Sequence, residues 1–258
     1  MKTALCYSGQ IGAFNKALNS QNQSFMGDVD DIYAYTSNVV SHKTLTSPQL
    51  RPSSEVYEYL KSGEGWRKNQ PSYGVVYKIK DSQVEDLLAL VKTKKQFIED
   101  ESLEEALNDS NMSKWQWLRK RQLWKMYQCY QMIEGDYDII IRCRFEFNPF
   151  VKIPIKEIYE THNSEDKIFL FGGWNCVAPM IFMDKFMCDG FAFGSPKAMG
   201  VFSSLYLQEE AYPYDPKYKD CWGRFGDNVE YQLEKHLKKH GIELVYIGDK
   251  RSMYHLQR

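Results

Sequence analysis

The stretch from Tyr137 to Phe147 constrains this chain more than any other. Taken two at a time, it sets Tyr137, Ile139, Ile141, Cys143, Phe145 and Phe147 against Asp138, Ile140, Arg142, Arg144 and Glu146. A strand sends alternate side chains to opposite faces, so one face is wholly apolar and the other ends in two guanidiniums and a carboxylate. Burying such charges without partners is costly. The economical solution is a core strand whose C-terminal end opens into a cleft, and in open α/β sheets that end is where ligands bind.

A chain of 258 residues has enough length to bury a large core as one α/β domain. Its 33 Lys and Arg against 34 Asp and Glu give a formal net charge of −1, which offers no basic face for bulk nucleic-acid binding. The 18 Tyr, 14 Phe and 6 Trp suit stacking on sugars or nucleobases, and equally suit an ordinary core. Six dispersed cysteines without a CxxC pair argue against a structural zinc site or a disulfide scaffold, and point to reduced, buried thiols. The N-terminus starts on a strand-like run rather than a signal peptide, and no apolar run reaches the length of a membrane span. The expectation is a soluble, cytoplasmic protein.

In chain order, residues 3–7 read as a buried strand, followed by Ser8, Gly9 and Gln10 and a helix over 13–19. A strand, a glycine turn and a helix can offer backbone N–H groups to a phosphate, although a plain tight turn explains the same residues. Residues 31–36 form a second strand ending at Thr36, which predicts a parallel βαβ start. Residues 39–110 read as a variable insertion of loops and helices: a short helix over 55–61, a strand over 74–79 and a helix over 84–107 with a solvated acidic run. A helix over 114–133 follows, its apolar stripe interrupted by Gln122, with Arg119, Lys120, Arg121 and Lys125 on the outer side. Gln122 reads more simply as bonded to backbone than as a ligand contact. Asn148 and Pro149 turn the chain, and a strand over 168–171 leads to Gly172, Gly173 and Trp174. Asp189 opens an aromatic-glycine turn before a helix that Pro196 starts. A helix over 228–240 and a strand over 242–247 close the fold. The pattern predicts a mostly parallel, Rossmann-like central sheet flanked by helices, in one domain over 1–258.

Six local motifs, in this order, resemble one family: GT-A-like glycosyltransferases of bacterial surface-polysaccharide loci and viruses. They are Ser8-Gly9-Gln10 after the first strand, Asp31-Ile32-Tyr33, Trp124-Lys125-Met126-Tyr127, the central strand from Tyr137 to Glu146, the block from Asp189 to Met199, and Glu230 to Leu237 followed by Gly241-Ile242. They span most of the chain, with the thinnest coverage over 39–110. The chain departs from the family's pattern in having Ile11 and Gly12 where an arginine is common, and Glu146 where an aspartate is usual.

The resemblance implies a GT-A-like fold and transfer of a sugar from a nucleotide-sugar donor to a glycan or glycoconjugate acceptor, in a bacterial cell or a virus-infected host. On that reading Ser8, Gly9, Gln10 and Thr36 approach the nucleotide, Arg142 and Arg144 the diphosphate, and Gly173 and Trp174 the sugar, while Glu146, Asp189 and Glu230 are the catalytic candidates. Such transfer needs a neutralised diphosphate and a positioned acceptor hydroxyl. Related enzymes use a DxD carboxylate pair to hold Mg²⁺ or Mn²⁺. No DxD follows the central strand here, so two arrangements stay open: Glu146 as a lone metal ligand, or arginines in place of a metal. The bland alternatives are equally concrete. Arg142 and Arg144 can satisfy a buried network with neighbouring carboxylates, Asp189 can be a surface aspartate near a helix N-terminus, and Trp174 can be a core residue. His236 and His240, four apart on a charged helix, read as solvated, and His255 is a weak candidate for a late metal ligand. The rival functions are a sugar nucleotidyltransferase and a catalytically inactive nucleotide- or glycan-binding domain.

Overall fold

Alternation makes a strand only where both faces find cover, and in the computed structural model the central stretch meets that condition over Ile139–Cys143, all five residues buried. The structure describes residues 1–11, 14–41, 76–100, 114–162, 165–173, 186–211, 229–249 and 254–256. In chain order the strands are β1 (Thr3–Ser8), β2 (Asp31–Ser37), β3 (Val39–Ser41), β4 (Val76–Lys78), β5 (Lys95–Glu99), β6 (Ile139–Cys143), β7 (Phe147–Pro149), β8 (Lys167–Gly173), β9 (Phe186–Gly194), β10 (Glu243–Asp249) and β11 (Tyr254–Leu256). The helices are α1 (Phe14–Ser24), α2 (Asp81–Ala89), α3 (Lys114–Gln131), α4 (Ile155–His162), α5 (Pro196–Ser203) and α6 (Val229–Lys239).

Seven strands form one sheet in the order β10-β8-β9-β6-β1-β2-β5. All are parallel except β9, which runs antiparallel between β6 and β8. Two small antiparallel pairs, β3 with β4 and β7 with β11, lie beside it. One face of the sheet buries Leu5, Tyr7, Ile139, Ile141, Phe169 and Phe193 against α1, α2 and α4. The other buries Ala4, Cys6, Tyr33, Ile140, Leu170 and Ala192 against α3, α5 and α6. Cover on both faces is why β1 is buried at every position despite its mixed composition. Each fully buried Phe, Ile or Leu contributes about 1.5–3 kcal/mol to that core. The fold is α/β with a mostly parallel central sheet flanked by helices, as the sequence pattern predicts.

The chain leaves β1 for β2 and β5 on one side, then crosses back to β6 on the other side of β1. The direction of winding therefore reverses between β1 and β6. Loops leaving the two strands separate there, and the gap at their C-terminal ends is the place where open α/β sheets bind ligands.

Several local expectations are corrected. The helix expected over 84–107 ends at Ala89, and Lys95–Glu99 is the edge strand β5, paired with β2. Its polar, exposed residues fit an edge strand, where charge discourages further pairing. The single strand expected from 137 to 147 breaks after Cys143, because Phe145 and Glu146 form a tight turn closed by the Phe147 N–H on the Arg144 carbonyl at 3.1 Å. Asn148 and Pro149 do not turn the chain; they belong to β7, held by β11. Asp189 to Gly194 is part of β9 rather than a turn. Pro196 opens α5, as the sequence predicts, and Ser195 caps it, accepting the Ala198 N–H at 3.1 Å. The helix expected over 55–61 lies outside the described residues.

Candidate functional site

The site is built where the strands end. β1 closes with Ser8, buried, and turns at Gly9, whose φ of +124° is a conformation that side chains rarely adopt. The hydroxyl of Thr36, at the end of β2, donates to the Gly9 carbonyl at 2.8 Å and fixes that turn. Gln10 follows it, half-buried.

From β6, Arg142 is buried and its Nη1 donates to the backbone carbonyl of Asp189. Burial pushes its pKa below the ordinary arginine value, and the nearby Asp189 charge opposes that shift. Arg144 joins two carboxylates, pairing with Glu146 and reaching Asp189 Oδ2 at 3.4 Å. Gln122 of α3 also donates to Asp189 Oδ2. Both carboxylates are nearly sealed, with side chains 5% and 6% exposed, whereas Arg144 keeps 25% of its side chain in solvent. One arginine thus stands at the mouth with two carboxylates behind it.

Asp189 reaches this position because β9 runs against its neighbours, so its N-terminal half lies at the edge where the parallel strands end. Its register slips there: the step from Leu170 to Gly172 on β8 is matched by the step from Ala192 to Met187 on β9. Bulges of this kind re-aim side chains.

Three buried polar atoms, Ser8 Oγ, Arg142 Nε and Glu146 Oε2, have no hydrogen-bond partner among the described residues. Each such atom costs about 1–3 kcal/mol; Ser8 and Arg142 stand at the ends of β1 and β6, and Glu146 lies in the turn after β6. The neighbouring thiols are not nucleophile candidates. Burial pushes the Cys143 thiol up, and a hydrogen bond with Cys129, together with burial, does the same for Cys6. Cys6, Cys129 and Cys143 are free and buried, as expected for reduced core cysteines.

The structure therefore brings Ser8, Gly9, Gln10, Thr36, Arg142, Arg144, Glu146 and Asp189 to one edge of the sheet. Gly173 ends β8 at that edge, opposite Phe186. Glu230 stands in the first turn of α6, and its side chain lies outside those described, as does all of Trp174. His255 pairs with Asn148 through the β11–β7 backbone.

Three side chains depart from expectation. Gln122 bonds a carboxylate of the site rather than backbone. Lys125, expected in solvent, is buried, and its ammonium donates to Ser37 Oγ at 2.8 Å beside the end of β2. Their i, i+3 spacing, on the stripe that continues to Cys129, is the signal that could have placed both against the sheet. His236, also expected in solvent, is fully buried, with its Nε2 within 3.1 Å of Ser204 Oγ and 3.0 Å of the Val201 carbonyl. Burial pulls its pKa down to about 4.

What the arrangement can do follows from its charges. Two guanidiniums at a strand end can grip an anion such as a phosphate, and two sheltered carboxylates can orient or deprotonate a hydroxyl. Glu146 and Asp189 already share Arg144, and no group of three or more His, Cys, Asp or Glu among the described residues could hold a metal.

No family model matches the chain, and no curated protein matches it. Among solved structures, 4-diphosphocytidyl-2C-methyl-D-erythritol synthase from Anaerococcus prevotii aligns over 96% of this chain and 86% of its own, at 7% identity and a TM-score of 0.44. A likeness of that size carries no argument about activity. Among the described residues, no helix is long and apolar enough to cross a membrane.

Proposed function

We propose that this chain is a glycosyltransferase, moving a sugar from a nucleotide-sugar donor to a glycan or glycoconjugate acceptor. The observation that carries the reading is the grouping of Arg142, Arg144, Glu146 and Asp189 beside the Ser8–Gln10 turn, at the point where the sheet reverses its winding. The resemblance of its motifs to GT-A-like glycosyltransferases supports the same reading.

In this scheme the Ser8–Gln10 turn meets the nucleotide, with Gly9 letting the backbone approach closely. Arg142 and Arg144 face the diphosphate and stabilise the charge that develops on it as the glycosidic bond breaks. Arginine then does what a DxD-bound cation does in related enzymes, because Glu146 and Asp189 are already engaged by Arg144. Glu146 and Asp189 are released towards the acceptor hydroxyl when Arg144 turns to phosphate. Either can orient that hydroxyl or take its proton, with Glu230 as a further candidate from α6.

A second reading has one observation in its favour. The Arg144 bridge closes both carboxylates, as in a nucleotide- or glycan-binding domain without turnover. A panel of nucleoside diphosphates and their sugars, with and without Mn²⁺, separates the two. A ligand at a hundred times its Kd adds about 2.7 kcal/mol to apparent stability, a Tm shift of about 5–10 °C for a chain of this size. The glycosyltransferase reading expects such a shift together with donor turnover, lost in Glu146→Ala while that variant stays folded. Binding with no turnover across the panel selects the inactive domain, and absence of any binding defeats both.

A further inference from the structure

The apolar stripe of α1 runs through Phe14, Ala17 and Leu18, and the next position in that stripe is Gln21, fully buried. A buried amide is costly unless every group is bonded, and here every group is. The Tyr7 hydroxyl donates to Gln21 Oε1 at 2.5 Å. Gln21 Nε2 donates to the Phe147 carbonyl at 2.6 Å and to the Phe145 carbonyl at 3.3 Å. Those carbonyls lie on either side of Glu146. The turn they belong to is the one closed by the Phe147 N–H on the Arg144 carbonyl. The ring of Phe145 is stacked on Tyr7, with centroids 5.1 Å apart and planes 15° apart, and meets Phe14 edge-on. Tyr7 immediately precedes Ser8, and α1 begins at Phe14, four residues after Gln10.

We propose that Gln21 is the positioning residue of this site: it holds the turn that carries Glu146 and, through Tyr7, locks that turn to the Ser8–Gln10 turn across the reversal point of the sheet. The proposal rests on the reading of Glu146 as a group that acts on substrate. Its chemistry is specific. Two donors must reach two carbonyls while one acceptor takes a phenol, which a primary amide of this length does. Glutamate has no donors, methionine has no donor and only a weak acceptor, and asparagine is one methylene short. Ser24 of the same helix bonds the Val151 carbonyl at 2.5 Å, further along the chain and away from the turn, and serves as a control.

The test uses Gln21→Met, Tyr7→Phe, Ser24→Ala and Glu146→Gln in the full chain, with amide exchange and nucleotide-sugar turnover as readouts. Loss of the clamp's bonds should speed exchange of the Phe147 amide on the order of tenfold, with the β6 amides unchanged. In turnover, kcat should fall at least on the order of tenfold with KM for the donor nearly constant, and Ser24→Ala should change neither. On the Glu146→Gln background, Gln21→Met should cost nothing further, because it acts through a group already removed. Should Gln21→Met fail to fold, Tyr7→Phe, which removes only the orienting hydroxyl, decides by the same readouts. Exchange that speeds up uniformly through the sheet, an unchanged Phe147 amide, or an additive loss with Glu146→Gln each overturns the proposal. If the wild type turns over no donor, the glycosyltransferase reading fails by itself, and the exchange measurement still decides whether the clamp exists.

Discussion

Replacing Arg144 with methionine tests whether the bridge at the mouth is a sheltered network or a surface pair. Glu146 and Asp189 are 5% and 6% exposed, so both are left nearly dry when the guanidinium goes. Asp189 keeps its bond from Gln122, whereas Glu146 has Arg144 as its ion-pair partner and its Oε2 is already without a hydrogen bond. Removing one member of a fully buried pair costs about 3–5 kcal/mol. Arg144 is one-quarter exposed, which argues for the low end, about 3 kcal/mol. Urea unfolding at pH 7.5 should show this as a midpoint lowered by roughly 1 M at a slope of about 3 kcal/mol/M. The Arg144→Met/Glu146→Gln double variant should recover at least about half of the loss, since the stranded charge is gone. A loss below about 1 kcal/mol, or strict additivity in the double variant, would mean that water solvates the pair as it does an exposed salt bridge, and the argument for a sheltered charge cluster would fall.

His236 gives a pH signature. With its pKa at about 4 in the fold against an ordinary 6.5, the unfolded chain takes up the proton first, so stability is complete above about pH 6.5 and declines as pH falls towards 4. The displacement corresponds to roughly 3 kcal/mol, and His236→Gln should flatten that part of the stability–pH profile by this amount when the two are titrated side by side. Two glycines should fail for different reasons. Gly9→Ala meets nothing within 4 Å among the described residues and should lose about 1–2 kcal/mol through its φ of +124°. Gly194→Ala has an ordinary φ but sets its Cβ 2.6 Å from the Lys167 carbonyl, and should lose about 2–4 kcal/mol by pushing β9 from β8; thermal unfolding of both checks the contrast.

Strands covered on both faces were legible because their runs are mostly apolar: β1 and β8 stand where the pattern puts them, and β6 does so as far as Cys143. Arg142, Arg144 and Glu146 were legible as charges closing such a run. β5 was not, since Lys95 and Gln96 are what an exposed edge strand can carry, and they carry no mark that separates strand from helix. Gln21, Gln122 and Lys125 were missed for a shared reason. A polar residue on a buried stripe reveals that something must bond it, but Phe147, Asp189 and Ser37, which bond these three, lie 67 to 126 residues away along the chain. Asp189 was picked out as a candidate, yet its geometry depends on a register slip that alternation cannot encode.

The pairing of β11 with β7 has a practical consequence. Tyr254–Leu256 hydrogen-bonds Phe147–Pro149 directly after the turn that holds Glu146. β11 therefore braces the segment that leaves the turn carrying Glu146. A deletion that removes it would perturb the candidate site although it touches none of the candidate residues.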